Sequence, residues 1–425
     1  MGFNGAGEFD ASVDHVAKLR SIDRYLDALD PEEDTDLVLI VDGYDVLMQL
    51  PPEVLIERYF EAVISSEVYL AERLGVNTED VRSRGMRQTL FWGPDKFCFP
   101  EDWTAARCWA LPESNILSNA EIKQGQIDFL DVRYLNSGTA MGPISEMRAL
   151  VAATLAEIEA SSPEDPHRRS DQYWVANLFG RQEYYRSLEV TGKEPEGGPD
   201  DRRIPTKRHD DQQTEFHIAL DYQSALFQGK AGYAQYLRYL QFNKDEFKTT
   251  VTRDMFGLSS DLISCEVEMP ANARSALGRL YDSIPEAHPG SVASGWIRNV
   301  KLGVNVITKH IFVVWHCTGT KGSFKKESVK MWWYRFARSL VEATVRAFQD
   351  GELITDHLVD GRRWGPKMVY PDLQTLHDAL GGAWTDYEGG QFVEWNELCG
   401  KYHEYLFRGE EGPINIVASG DIEIP

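Results

Sequence analysis

Val13, Val16, Leu19, Ile22, Leu26 and Leu29 recur at intervals of three and four residues, which predicts an amphipathic helix over 13–30. The acidic stretch Asp30-Pro31-Glu32-Glu33-Asp34 ends it. Leu37 to Val41 is an unbroken aliphatic run, the pattern of a central parallel strand covered on both faces. The run stops at Asp42-Gly43-Tyr44-Asp45. Pro51-Pro52 then opens a helix that reaches about Leu74, because proline suits a first helical turn. Thr89 to Trp92 reads as a further strand. Strand, helix and strand in alternation predict an α/β sheet with crossover helices.

Asp131 to Leu135 predicts a strand, with Asn136-Ser137-Gly138 following it, and Pro143 to Ala160 is a helix rich in Ala, Leu and Glu. Asp171-Gln172 opens a helix carrying Tyr173, Trp174 and Phe179. Over 192–215, Gly, Pro and charges dominate and no apolar period survives, which predicts a solvated surface loop. Phe216 to Leu220 is a strand ending at Asp221. Ile311 to Trp315 is another, ending at His316, and a helix is expected over 329–348. The segment 236–305 has no clear period, and no internal repeat is present.

Lys and Arg total 44 against 67 Asp and Glu, a net charge of −23. Such a surface repels polyphosphate and so disfavours nucleic acid and anionic membranes as partners; a single nucleotide is compatible if a metal or local cations neutralise it. No apolar run is long enough to span a bilayer, no charged-then-apolar signal opens the chain, and no Asn-x-Ser/Thr acceptor occurs. The five cysteines lack zinc-site spacing. Cys98 and Cys108 are spaced either for a small disulfide loop or as two buried thiols.

Three apolar strands end in a residue able to bind a metal or substrate: Asp42, Asp221 and His316. In an open parallel sheet ligands sit outside the carboxyl ends of the strands, so these ends are expected to converge. Asp42 and Asp45 flank a turn eased by Gly43, and two carboxylates with a divalent ion would offset a diphosphate. The plainer alternative makes Asp42 a turn cap, Asp45 a solvated acid and His316 a hydrogen-bonded structural residue. Cys317-Thr318-Gly319-Thr320-Lys321 offers backbone amides and a cation to phosphate oxygens. Asp171 reads equally as a helix cap.

Taken in order, the blocks Val41-Asp42-Gly43-Tyr44-Asp45-Val46, Phe91 to Pro100, Tyr134-Leu135-Asn136-Ser137-Gly138, Asp171-Gln172, Leu220-Asp221 with Leu226-Phe227-Gln228, and Val314-Trp315-His316 resemble one family. It is the glycosyltransferase domain of the procollagen lysyl hydroxylases and its fungal and bacterial relatives. The resemblance covers about 9–235 and 308–323. It implies a GT-A-like α/β fold with a mixed, mostly parallel sheet: a core over 1–235 completed by 308–323, an insertion over 236–307, and a helical or irregular extension over 324–425. It also implies manganese, or a similar divalent cation, held by Asp42, Asp45 and His316 against a UDP-sugar. Tyr44 would lie against the nucleotide, Asn136, Ser137 and Gly138 on the sugar side, and Gly319 and Lys321 at phosphate. Asp171 would face a hydroxyl-bearing acceptor, protein or glycan. The family's setting is the lumen of the secretory pathway.

The chain departs from that pattern in places. The loop after His316 is one residue shorter and carries Thr318 where relatives have asparagine, and Arg168-Arg169-Ser170 precedes Asp171 in place of further acids. An iron-dioxygenase part is not expected, since His209-x-Asp211 falls in the polar loop. Only 41 residues precede Asp42, and Met1 to Asp10 is turn-like, so the resemblance implies that the first βα unit is lacking. The strand 37–41 is then expected to show an unpaired or substituted edge, and uridine a poor pocket. A metal-dependent phosphohydrolase and a non-catalytic binding relative are the competing readings.

Overall fold

The computed structural model describes residues 15–114, 116, 132–251, 265–319, 324–367, 380–385 and 390–407. The first helix, α1 (Val16–Asp27), buries Val16, Leu19 and Leu26, the stripe read from the sequence, and buries Lys18 beside them. Strands β1 (Leu37–Val41) and β2 (Val46–Met48) flank the Asp-rich turn. Pro51 and Pro52 start α2 (Pro52–Leu74), and Gly75 ends it at φ 69°, the left-handed conformation glycine adopts without a Cβ penalty. After α3 (Thr78–Ser83) come β3 (Leu90–Asp95), α4 (Ala106–Trp109) and β4 (Tyr134–Pro143). Helices α5 (Ile144–Ala160) and α6 (Asp171–Thr191) follow. Arg168 donates from Nη1 to the carbonyls of Ile158 and Ser161 at 2.9 and 3.1 Å, closing the end of α5.

The main sheet has the order β1-β4-β3-β5, with β5 at Ile218–Leu220. Its β1–β4 and β4–β3 pairs are antiparallel and its β3–β5 pair parallel. The structure is thus mixed α/β, but no large parallel sheet is present among the described residues, contrary to expectation. Strand β1 is not central: it lies at the sheet edge with β4 as its described partner. Both of its faces are covered, as the apolar run implied. Leu37 and Leu39 join Phe91, Met141 and Ala219 in one core, while Val38 and Ile40 join Leu90, Trp92 and Leu220 in a second. The opposite edge is handled differently. Buried Gln182 of α6 accepts from the N–H groups of Phe216 and Ile218 and donates to the carbonyl of Ile218, all within 3.0 Å, standing in for a neighbouring strand.

A second sheet pairs β12 (Val314–His316) antiparallel with β2 and parallel with β6 (Phe227–Gly229). Beyond it lie β7 (Leu237–Gln241), the hairpin β8 (Lys248–Val251) with β9 (Cys265–Glu268), α7 (Ala271–Ser283), α8 (Ala293–Asn299), β10 (Lys301–Asn305) and β11 (His310–Ile311). Leu240, Leu277, Trp296 and Leu302 of this stretch share one core with α2 and the main sheet. Gln49 ties the two, donating to the carbonyls of Gly303 and Phe312 at 3.0 and 2.8 Å from a fully buried amide. Trp332 and Trp333 donate to the carbonyls of Gln49 and Met48. The helix expected from 329 begins later, at Ala337, after a 3-10 turn over Tyr334–Phe336. Among the described residues no helix is long and apolar enough to cross a membrane.

Candidate metal centre

Three elements deliver the centre. Strand β1 ends as the N–H of Asp42 donates to the carbonyl of Gly138 at 2.9 Å, one rung beyond the β1–β4 ladder. The chain turns over 42–45 and leaves as β2. Antiparallel pairing sets His316 opposite Val46, so β12 ends beside Asp45, and the N–H of Cys317 donates to the Asp45 carbonyl at 2.8 Å. Strand register therefore brings together residues far apart in sequence. Nε2 of His316 lies 3.4 Å from Oδ1 of Asp45 and 3.8 Å from Oδ2 of Asp42. One ligand atom from each of the three falls within 4.8 Å of the others.

Strand β4 supplies the floor. Gly93 of β3 pairs with Asn136 while the preceding Trp92 pairs with Ala140, leaving Ser137, Gly138 and Thr139 without β3 partners. The segment expected to follow a strand is thus a bulge inside one, a device that re-aims residues beside sites. Gly138 is packed against the imidazole: a Cβ there would sit 2.0 Å from Cε1 of His316. Asn136 spans the bulge, its Oδ1 accepting from the N–H of Gly138 at 3.0 Å and its Nδ2 donating to Oδ2 of Asp95 at 3.3 Å. Burial raises the pKa of Asp95, an effect that Asn136, two backbone N–H groups and nearby His316 oppose.

Lys18 joins the acidic residues. Its buried ammonium lies 2.9 Å from Oδ1 of Asp42, 2.5 Å from Oδ2 of Asp171, and 2.9 Å from the carbonyl of Ser137. Burial alone would lower its pKa, but Asp171 and Asp42 raise it above the ordinary lysine value. Asp171 is not the cap of α6; Ser170 is, accepting from the N–H of Tyr173 at 3.2 Å. Asp171 instead points its carboxylate at Lys18.

Asp42, Asp45 and His316 thus form one cluster, which Asp171 joins through Lys18, and Asn136, Ser137 and Gly138 lie behind it. Tyr44 projects from the turn at 83% exposure. Gly319 holds φ 96° three residues past His316, and Lys321 lies outside the described residues. The amides expected to meet phosphate are committed elsewhere at Cys317 and at Thr318, whose N–H donates to the His316 carbonyl. Asp221 does not converge on the cluster; its carboxylate accepts from the N–H groups of Ala225, Leu226 and Phe227. The sequence reading missed Lys18, and the role of Thr318, whose hydroxyl accepts from the N–H groups of Lys230 and Ala231 and braces the end of β12. No local signal marks Lys18, since a lysine inside an amphipathic helix reads as solvated.

Phe97, Phe99 and Trp103 are half-exposed on the segment after β3, which the Cys98–Cys108 disulfide ties back to α4. Around His316 stand the carboxylates of Asp42, Asp45 and Asp95, with Lys18 on Asp42. That excess of negative charge and the 3.4–3.8 Å ligand spacings fit a hard divalent cation, whose neighbouring ligands stand about 3–4 Å apart. No family model matches the chain, and no curated protein does.

Proposed function

We propose that the protein is a metal-dependent glycosyltransferase that moves a hexose from a UDP-sugar to a hydroxyl acceptor, on a GT-A-like core. The observation that carries this reading is the assembly of Asp42, Asp45 and His316 from strand ends some 270 residues apart. The resemblance of the ordered sequence blocks to the procollagen lysyl hydroxylase glycosyltransferase domain supports it. A manganese ion held by these three residues would supply positive charge to a departing diphosphate.

The chain's own groups take the remaining roles. Gly138 and the bulge fix the imidazole plane, so that Nε2 faces the two aspartates. In this reading Tyr44, on the exposed turn, lies along the nucleotide, and Asn136 and Ser137 border the sugar. Lys18 holds Asp42 and Asp171 in fixed relation, and we assign Asp171 to orienting the acceptor hydroxyl. The Cys98–Cys108 disulfide is compatible with the oxidising lumen that the resemblance implies.

The test measures UDP release from UDP-glucose and UDP-galactose with manganese, with and without an acceptor panel of hydroxylysine peptides and oligosaccharides. Acceptor-stimulated release that falls at least 100-fold in both Asp45→Ala and His316→Ala is expected. Undiminished turnover in excess chelator would overturn the metal mechanism. Rapid phosphate release from simple phosphoesters would point to a phosphohydrolase, and nucleotide binding without turnover to a non-catalytic relative.

A further inference from the structure

A second cleft, of about 920 Å³, opens between α2, the start of α7 and the 357–360 turn. None of the cation ligands lines it. Its inner wall holds a polar pair with no use in the reading above. Arg58 of α2 is 95% buried and donates from Nη1 to the carbonyls of Ala225 and Ile311, yet its Nη2 has no hydrogen-bond partner. Nδ1 of His310 is likewise buried without one. Burial and the nearby Arg58 push His310 down to about 4, against backbone hydrogen bonds at Gln223 and Thr308, so its ring is neutral at physiological pH. An unpartnered buried polar atom costs about 1–3 kcal/mol; the structure holds others, but Arg58 and His310 are the two of them that line this cleft.

The other lining groups narrow what that partner is. Glu57, Glu61, Asp221 and Asp360 line the cleft alongside Arg58 and His357, the last paired with Glu57 at 2.9 Å. A compact anion drawn to Arg58 would face these carboxylates on a chain of net charge −23, and a cation would face Arg58 at the deepest point. A hydroxyl group satisfies both, accepting from a guanidinium N–H while donating to a carboxylate. Phe60, Phe91, Leu220 and Leu358 supply apolar wall for C–H faces. The volume lies in the range of small-molecule sites and far exceeds what a bridging water needs.

We infer that this cleft binds a neutral polyhydroxylated molecule, one or two sugar rings in size, with Arg58 and His310 as its inner polar contacts. The site is separate from the metal centre and does not rest on the transfer reaction. Its test uses saturation-transfer NMR with D-glucose, D-galactose and myo-inositol on the Asp45→Ala chain without manganese, so that sugar held at the metal centre does not contribute. Transfer from at least one of the three is expected, at millimolar affinity. Ser65→Trp, an exposed position at the mouth on α2, should weaken it at least tenfold with the melting temperature unchanged. No transfer from any probe would mean that solvent alone fills the cleft. Undiminished transfer in Ser65→Trp would place the sugar elsewhere. Competition by inorganic phosphate or putrescine at equal concentration would show that the cleft prefers an ion. Each of these three results overturns the inference.

Discussion

At Gly138 a methyl group would have to occupy space already held by Cε1 of His316. Gly138→Ala should therefore swing the imidazole off the two aspartates. We expect manganese affinity to fall about 10–100-fold, at a stability cost of about 1–3 kcal/mol from overpacking. Titration by manganese EPR with parallel urea melts would show this, and unchanged affinity would mean that His316 is not held by the bulge. Lys18→Met probes the other side. Removing a buried cation strands Asp171, a change that costs about 3–5 kcal/mol, while Asp42 is freed to bind metal more tightly. The predicted outcome is a lower urea midpoint together with raised manganese affinity, and an unmoved midpoint would count against the buried pairing. The candidate cation cluster was legible in the sequence because Asp42 and His316 sit where apolar runs stop and Asp45 lies three residues past Asp42. Lys18 was not, because its partners meet it only through space.

At the level of elements, His217 at the start of β5 pairs with Glu146 on the first turn of α5 at 3.1 Å. Burial alone would lower the histidine and raise the acid. Their mutual attraction prevails, so His217 rises above 6.5 and Glu146 falls below 4.5. A raised histidine contributes stability that is complete below 6.5 and lost as pH climbs through its folded value. A depressed glutamate contributes stability that is complete above 4.5 and lost as pH drops through its own. The contribution is whole between about pH 4.5 and 6.5 and declines on either side. Urea midpoints across pH 4–9 should show the alkaline decline, and His217→Asn, which tolerates the positive φ there, should remove it. The helices were readable because a 3.6-residue period is local. Strand neighbours were not, since the run of Leu37 to Val41 looks the same at a sheet's centre and at its edge when both faces are covered. Asn136 to Gly138 likewise carries turn-like residues, yet the pairing of Asn136 with Gly93 and the bond from the Asp42 N–H to the Gly138 carbonyl keep it within β4.

Across the whole molecule, the main sheet divides two cores, and the residues of 236–307 build one of them with α2. Periodicity could not reveal this, because the contacts that define it join β10 to Gln49 and β12 to β2, each across hundreds of residues. The disulfide is the single covalent cross-link among the described residues. It closes a short loop, so its removal in Cys98→Ser/Cys108→Ser should cost about 2–3 kcal/mol. Manganese affinity should be retained, because no ligand lies on that loop. Calorimetric melts with and without reductant would show it, and equal melting temperatures would mean that the loop is as ordered when open.

The separation of Asp45 from His316 also sets an order of events at the ribosome. At about 5–20 residues per second, roughly 14–54 s pass between synthesis of the turn and synthesis of the histidine that completes the Asp-Asp-His cluster. Until then a nascent chain holds the aspartates with Lys18 as their only described cationic neighbour, and any product ending short of residue 316 lacks the third ligand. Under the proposed metal role, retention of the ion separates chains that reach residue 316 from those terminated before it, without reference to catalysis.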